Sequence, residues 1–289
     1  MKKVADRVAV LGLGLIGGSL AFALKRGRLA GKVCAYARRE KTRKLALKIK
    51  AVDEVFKTLQ EAVKGADIVV ICVPVLATSV LAKKCIKNLK QGCVVTDVGS
   101  TKARVTSEME KLLSRGKAVF VGSHPIAGSE ETGLESARSD IFRGATVVVT
   151  VPKGKRVSLS GVKKVKALWK ALGARVEIMT PDEHDCILAG TSHLPHVVAS
   201  AMVQAVLGST DSKNGAFCGR GFKDVTRIAG SSEDLWHDII KTNPRHVCRL
   251  LDELTDETKK IRNMIRKKNF SGIKKYLAKS RCLRRGLEK

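Results

Sequence analysis

The stretch Val8-Ala-Val-Leu-Gly12-Leu-Gly14-Leu-Ile-Gly17 decides the fold class of this 289-residue chain. Its first part is an apolar run that predicts a buried strand, and residues 15–27 continue with apolar side chains at helical spacing. Gly-x-Gly-x-x-Gly between a strand and a helix is typical of a dinucleotide-binding turn, because glycines permit the tight turn and the close approach of a pyrophosphate to the helix N-terminus. The residues predicted to contact a dinucleotide here are Gly12, Gly14, Leu15, Ile16 and Gly17.

Predicted strands and helices alternate along the first 180 residues. Further strands are predicted at 32–37, 66–73, 93–97, 118–121, 145–151 and 175–178, with helices at 41–50, 76–89, 102–115 and 159–172. This alternation predicts an α/β fold with a doubly wound, Rossmann-like parallel sheet. Beyond Pro181 we predict only helices, a long one over 182–208 and others over 233–283. We therefore expect a dinucleotide-binding domain at 1–180 and an all-helical domain at 181–289.

The residues after the second strand indicate which dinucleotide would bind. An Asp or Glu about 20 residues beyond the last glycine normally holds the ribose 2′-hydroxyl. Ala37 stands there instead, followed by Arg38 and Arg39. Arginine pairs bidentately with phosphate, so this pattern favours NADP. NAD stays open, because the arginines can belong to a generally basic surface and Glu40 can turn towards the ribose.

Other candidate site residues follow the ends of strands, where open α/β sheets bind ligands. Val73 and Pro74 end the third strand and are predicted to line the cofactor site. Ser100 follows the next strand, where it can belong to the site, cap the next helix, or do both. His124 lies between Gly122 and Gly128, after another strand, and is a candidate to accept a proton during hydride transfer.

The second half of the chain adds two motifs. Ser192-His-Leu-Pro-His196 could supply metal ligands, but no third ligand stands at a suitable spacing, so no metal is expected. Arg227 is a candidate for binding a substrate carboxylate, with a structural ion pair as the alternative.

These motifs together resemble a known family. The glycine turn, Asp-Val-Gly-Ser-Thr-Lys at 97–102, the segment 122–133, the histidine motif and Gly-Phe-Lys-Asp-Val-Thr-Arg-Ile-Ala at 221–229 occur in the order found in prephenate/arogenate dehydrogenases of tyrosine biosynthesis. The resemblance covers about residues 6–280. It implies NAD(P)-dependent oxidative decarboxylation of prephenate to 4-hydroxyphenylpyruvate, or of arogenate to tyrosine, by a homodimer formed through the helical domain.

The resemblance also implies roles for individual residues. His124 would take the proton of the substrate 4-hydroxyl, and Ser100 would contact that hydroxyl and the nicotinamide. Arg227 would bind a substrate carboxylate, and His193 and His196 would face the substrate, His196 being the better candidate. The remaining implied pocket residues are Ser129, Glu130, Asp224 and Trp236.

The alternative to this family is a different reductase with the same two-domain plan, such as a β-hydroxyacid dehydrogenase or imine reductase. Those β-hydroxyacid enzymes resemble one another in having a catalytic Lys on the substrate-domain helix, with Asn four residues later. Residues 182–208 contain no Lys, which disfavours that alternative.

Charge and composition exclude other classes. The net charge of +28 would suit nucleic acid, but aromatic residues that could stack on bases make up only 4% of the chain, so nucleic acid is not expected as a partner. No uninterrupted apolar run reaches about 18 residues, so we expect no membrane-spanning helix. The eight cysteines form no Cys-x-x-Cys pair and no export signal is recognisable, which together favour the cytoplasm.

Overall fold

The computed structural model describes residues 3–114, 116, 118–127, 131–154, 158–208 and 212–288. By its internal contacts the chain divides into two compact units, Met1–Asn243 and Pro244–Lys289. The domain boundary predicted near residue 180 falls inside the first unit and stays a prediction.

Strands and helices alternate through most of the first unit. Its elements are β1 (Ala5–Leu11), α1 (Leu15–Arg26), β2 (Ala30–Tyr36), α2 (Glu40–Lys48), β3 (Glu54–Phe56), α3 (Leu59–Val63), β4 (Ile68–Ile71), α4 (Val75–Cys85), β5 (Val94–Asp97), α5 (Ala103–Leu113), β6 (Val119–Phe120), β7 (Gly122–Ile126), β8 (Thr146–Thr150), α6 (Leu159–Ala171), β9 (Arg175–Met179), α7 (Pro181–Leu188), α8 (Leu194–Leu207), α9 (Arg220–Thr226) and α10 (Glu233–Thr242). The second unit contains α11 (Pro244–Arg266) and α12 (Phe270–Arg285), and the Tyr276 hydroxyl of α12 donates a hydrogen bond to Glu257 of α11 (3.0 Å).

A six-stranded parallel sheet in the order β3-β2-β1-β4-β5-β6 forms the centre of the first unit. Successive side chains of a strand point to opposite faces, and helices cover both faces here. Val8 and Val10 of β1 therefore belong to one apolar core, whereas Ala9 and Leu11 belong to the other. This double burial explains the uninterrupted apolar strands and confirms the predicted doubly wound fold.

The later strands depart from the expectation of a single sheet. β8 and β9 pair in parallel with each other in a separate three-stranded sheet, and β7, which was not predicted, pairs antiparallel with β8. Gly122 makes this pairing possible, because a Cβ there would lie 2.6 Å from the Thr150 hydroxyl. The buried Trp169 of α6 fixes β7 by donating its indole N–H to the Ser123 hydroxyl (3.0 Å).

The segment predicted as one helix over 182–208 is interrupted. α7 begins with a reciprocal capping box between Thr180 and Glu183, and a π-helical turn at Ala189–His193 separates it from α8. The whole segment Pro181–Leu207 has the length and apolar composition of a membrane-crossing helix, contrary to the expectation that no segment would. That finding is weak evidence for a membrane, because core helices of soluble proteins share these properties.

Candidate active site

The glycine turn between β1 and α1 provides a cradle for a dinucleotide. Gly12 has φ +107°, and a Cβ there would lie 2.4 Å from the Cys72 carbonyl oxygen. A Cβ at Gly17 would lie 1.9 Å from the Gly12 carbonyl oxygen, so helix and strand pack at this glycine. A Cβ at Gly14 would meet nothing within 4 Å, and Gly14 is the N-cap of α1. The open space therefore lies where a pyrophosphate would meet the helix N-terminus.

The turn lies where the strand order reverses between β1 and β4, the usual ligand position in such sheets. Val73, just beyond β4, lies against it: its Cγ1 would be 3.0 Å from a Cβ at Gly12. Pro74 is exposed and forms the N-cap of α4. Both residues are therefore at the edge where the sequence predicted a cofactor.

Basic side chains surround the end of β2. Arg38 and Arg39 are exposed, and the Arg43 guanidinium donates hydrogen bonds to the carbonyl oxygens of Ala37 (2.9 Å) and Arg38 (2.8 Å). Glu40 forms an exposed ion pair with Lys44 (2.8 Å). The Glu40 carboxylate is thus engaged by a neighbouring lysine.

A chain of three hydrogen-bonded side chains starts at His124 of β7. The half-buried His124 places its Nδ1 2.9 Å from His184 Nε2, and His184 Nδ1 lies 2.8 Å from Asp185 Oδ1. The Asp185 carboxylate also accepts the backbone N–H groups of Lys102 (2.7 Å) and Ala103 (2.9 Å) at the start of α5. An anion is stabilised at a helix N-terminus, so α7 is tied to α5 at this point.

Burial keeps the histidines of this region neutral. Desolvation lowers the pKa of His124 well below its usual 6.5, and the neighbouring Lys102 ammonium adds to the effect. Desolvation also lowers the pKa of His184, although the Asp185 carboxylate opposes the shift. For His193, burial lowers the pKa to about 4. All three imidazoles are therefore uncharged at neutral pH, as a proton acceptor requires.

A buried ion pair fixes the loop that carries Ser100. The side chains of Lys102 and Asp97 are fully buried and bonded to each other, and desolvation lowers the pKa of Lys102 against the attraction of Asp97. The Asp97 carboxylate also accepts the backbone N–H groups of Gly99 (2.9 Å) and Ser123 (3.3 Å). Ser100 is half-buried in this loop, and Lys102 is the N-cap of α5. The expectation that Ser100 caps α5 is wrong, because the N-cap is Lys102 and the Asp185 carboxylate accepts the N–H groups of Lys102 and Ala103.

A second group of side chains gathers around Trp236 of α10. The His196 ring stacks on the indole, with centroids 3.5 Å apart and planes at 13°, and His193 meets it edge-on at 6.1 Å. The Asn243 amide donates one hydrogen bond to the Asp185 backbone carbonyl (2.7 Å) and another to His193 Nδ1 (3.3 Å). Nδ1 of His196 is buried and has no hydrogen-bond partner among the described residues. A buried, unpartnered ring nitrogen suits a polar group of a ligand.

The structure thus brings together four of the predicted site residues: His124, His193, His196 and Trp236. Arg227 and Asp224 are exposed on the segment 220–230. The predicted Ser129 and Glu130 lie outside the described residues. Within the described part of the chain, no group of three or more His, Cys, Asp or Glu side chains could hold a metal ion.

Sequence reasoning missed four residues that organise the site: His184, Asp185, Lys102 and Asn243. Lys102 is the last residue of the motif at 97–102, and the sequence assigns it no role. The adjacent His184 and Asp185 stand about 60 residues beyond His124, and no short spacing pattern links them to it. Asn243 ends α10 and offers no signal in the sequence alone.

A glycine turn at the reversal point of a parallel sheet, together with neutral histidines at strand and helix ends, defines a dinucleotide-dependent dehydrogenase. Family models agree, matching the prephenate dehydrogenase nucleotide-binding domain at residues 20–178 and the prephenate dehydrogenase dimerization domain at 180–279. The chain belongs to the prephenate dehydrogenase family.

Individual relatives support this assignment. Prephenate dehydrogenase of Bacillus subtilis is 31% identical over 99% of this chain and 77% of its own length. Cyclohexadienyl dehydrogenase of Zymomonas mobilis is 31% identical over 99% of this chain and 97% of its own. The crystal structure of A. aeolicus prephenate dehydrogenase with hydroxyphenyl propionate and NAD+ superposes with a TM-score of 0.90 at 30% identity, covering 98% of both chains. Sequence and fold therefore establish that the chain is an oxidoreductase of this class.

Proposed function

We propose that this protein catalyses the NAD(P)-dependent oxidative decarboxylation of prephenate or arogenate in tyrosine biosynthesis. The observation that carries the proposal is the neutral, hydrogen-bonded His124 at the ligand-binding side of the fold. The names of the relatives supply the substrate class, and the open space at Gly14 supports a nicotinamide dinucleotide as cofactor. The likeness to these relatives disfavours the β-hydroxyacid dehydrogenase alternative.

The residues of this chain have separate roles in the proposed reaction. When bound, the nicotinamide supplies the acceptor for the hydride that leaves C4 of the substrate ring. His124 takes the proton of the 4-hydroxyl, which favours departure of the hydride, and Ser100 hydrogen-bonds the same hydroxyl. Loss of the ring carboxylate as CO2 then makes the ring aromatic.

Substrate binding is assigned to the group around Trp236 and to Arg227. His196 Nδ1, buried and unpartnered among the described residues, would donate to or accept from the substrate's polar side chain. The Arg227 guanidinium would bind a carboxylate, because an anion entering a partly desolvated cleft needs a cation. Ser129, Glu130, Asp224 and His193 complete the proposed pocket on the strength of the resemblance.

The preference for NADP over NAD is the finer part of the proposal. The exposed Arg38 and Arg39 stand at the end of β2, and the carboxylate of Glu40 is paired with Lys44. A 2′-phosphate would therefore meet positive charge, whereas the carboxylate that usually selects NAD is missing.

A single kinetic design tests both parts. Formation of reduced nicotinamide is followed with prephenate and with arogenate, each with NAD and with NADP. If the folded protein oxidises neither substrate, the proposed function is contradicted. The Arg38→Asp variant should lose NADP affinity about ten- to a hundredfold, the worth of a charge-assisted hydrogen bond, and keep its NAD affinity. A wild-type preference for NAD overturns the role of the arginines.

We also infer a cytoplasmic homodimer with no membrane or nucleic-acid partner. The helical region matches a family dimerization domain. The segment Pro181–Leu207 exposes Ile187, Val206 and Leu207, an apolar surface that a second copy would cover. Sedimentation equilibrium should give twice the chain mass, and a monomer at micromolar concentration would contradict the inference.

A further inference from the structure

We propose that His184 and Asp185 are positioning residues that hold His124 in the one neutral tautomer able to accept a proton at Nε2. The inference rests on the proposed function and deepens it, since it assigns the orientation of the proposed base to two buried residues. It follows from which atom donates in each of the hydrogen bonds that join α5, Asp185, His184 and His124.

The direction is set at Asp185, which is 1% exposed. The backbone N–H groups of Lys102 and Ala103 can only donate, and they reach Oδ1 (2.7 Å) and Oδ2 (2.9 Å). Both carboxylate oxygens are therefore acceptors. The positive end of α5 stabilises the buried negative charge, so Asp185 is a fixed acceptor for a third donor, His184 Nδ1 (2.8 Å).

The same donor–acceptor order continues through the His184 ring. Its Nδ1 carries hydrogen because it faces a carboxylate acceptor. Burial lowers the pKa of His184, so the ring is neutral and has a single ring hydrogen. Its Nε2 consequently has an unshared electron pair and accepts from His124 Nδ1, 2.9 Å away. The hydrogen-bond network therefore assigns the tautomer of His184.

The tautomer of His124 is thereby determined. With hydrogen on Nδ1 and a neutral ring, the opposite nitrogen Nε2 is unprotonated and can take the 4-hydroxyl proton of the substrate. The other tautomer would present an N–H group at that position and could not act as a base. After the proton arrives, the His124 imidazolium keeps its bond to His184, and the negative charge of Asp185 partly offsets the new positive charge.

Two substitutions of His184 separate hydrogen-bond direction from packing. In His184→Gln, the amide can accept from His124 with its oxygen and donate to Asp185 with its nitrogen, so the direction is preserved. In His184→Phe, the ring volume is kept and both hydrogen bonds are lost. We expect His184→Phe to lower kcat roughly 10²–10⁴-fold, the usual worth of a positioned base, with KM changed less than about threefold. His184→Gln should recover kcat to within about tenfold of the wild-type protein.

Asp185→Asn tests the origin of the direction. Oδ1 accepts from the Lys102 N–H and from His184 Nδ1, and Oδ2 accepts from the Ala103 N–H, so an amide NH2 in either place faces a backbone N–H group and the hold on His184 is weakened. We expect kcat to fall by up to about 10⁴-fold, the loss when a carboxylate that orients a catalytic histidine becomes an amide. A purely structural role predicts instead that His184→Gln is no better than His184→Phe in folded protein, and that result overturns the proposal.

A measurement without substrate separates this proposal from the proposed function. NMR of the histidine ring nitrogens in the wild-type protein should show His124 with hydrogen on Nδ1, and His184→Phe, which offers Nδ1 no acceptor, should remove that preference. Hydrogen on Nε2 in the wild type overturns the inference, whatever the activity and even if every variant unfolds. Failure of the wild type to oxidise prephenate or arogenate would contradict the function and leave the tautomer result standing.

Discussion

Replacement of Gly14 by alanine separates cofactor binding from stability at the glycine turn. Gly14 has extended backbone angles, φ −88° and ψ −159°, which any residue adopts, and its new Cβ would meet nothing within 4 Å. We expect the free energy of unfolding to change by less than about 1 kcal/mol, the scale of an N-cap substitution. Gly12→Ala is the contrast, because φ +107° alone costs about 1–3 kcal/mol and its Cβ would overlap the Cys72 carbonyl.

The same methyl group at Gly14 would occupy the space that a pyrophosphate needs. Moving the phosphates away from the N-terminal N–H groups of α1 would weaken at least one charge-assisted hydrogen bond, worth about 1.5–3 kcal/mol. Because about 1.4 kcal/mol corresponds to a tenfold change in affinity, the dissociation constant for the cofactor should rise about ten- to a hundredfold.

Titration of the intrinsic fluorescence with reduced cofactor, and thermal denaturation of the same preparation, measure the two effects. We expect Gly14→Ala to bind weakly at a nearly unchanged Tm and Gly12→Ala to melt early. An unchanged dissociation constant in Gly14→Ala would refute the position assigned to the pyrophosphate. A loss of Tm equal to that of Gly12→Ala would refute the reasoning about open space.

Four further predictions concern charge. Because burial lowers the pKa of His124, kcat should rise with pH below 6.5 and stay level above it, and a rise centred above pH 7 would contradict a neutral base. His193 has a folded pKa of about 4, so the unfolded chain binds its proton first as pH falls below 6.5, and the Tm should drop between pH 6.5 and 4; a constant Tm would place this ring in water. Lys102→Met leaves Asp97 buried without its cation and should cost about 3–5 kcal/mol in urea unfolding, whereas a loss below about 1 kcal/mol would show that water reaches the carboxylate. Arg227→Ala should raise KM far more than it lowers kcat, a loss of about 2–4 kcal/mol in kcat/KM that Lys only partly restores; unchanged KM with lower Tm would make Arg227 structural.

The central sheet was predictable from the sequence because its strands are buried on both faces. Residues 68–73 form an unbroken apolar run, and the glycine turn marks the end of β1. β7 was not predictable in the same way. It contains Gly122 and Pro125, two poor strand formers, and it pairs because β8 and Trp169 hold it in place.

The residues of the candidate site likewise fall into those that the sequence predicts and those that it does not. His124, His193 and His196 stand in recognisable motifs, and in the structure His193 and His196 lie against Trp236 while His124 lies against His184. His184 and Asp185 stand in an ordinary amphipathic helix, where a His-Asp pair is indistinguishable from two polar surface residues. Their importance arises from the contact of α7 with β7 and α5, a tertiary arrangement that spacing along the chain does not encode.

The π-helical turn at Ala189–His193 marks a place where one residue can be lost without rotating the faces of α7 and α8. A π turn holds one residue more than an α-helical turn, whereas each α-helical residue advances the chain by about 100° around the helix axis. Removing one residue within the π turn would give a continuous α-helix and leave the two faces in nearly the same relation. A relative that is one residue shorter here can therefore still place His196 against Trp236 and His184 beside His124.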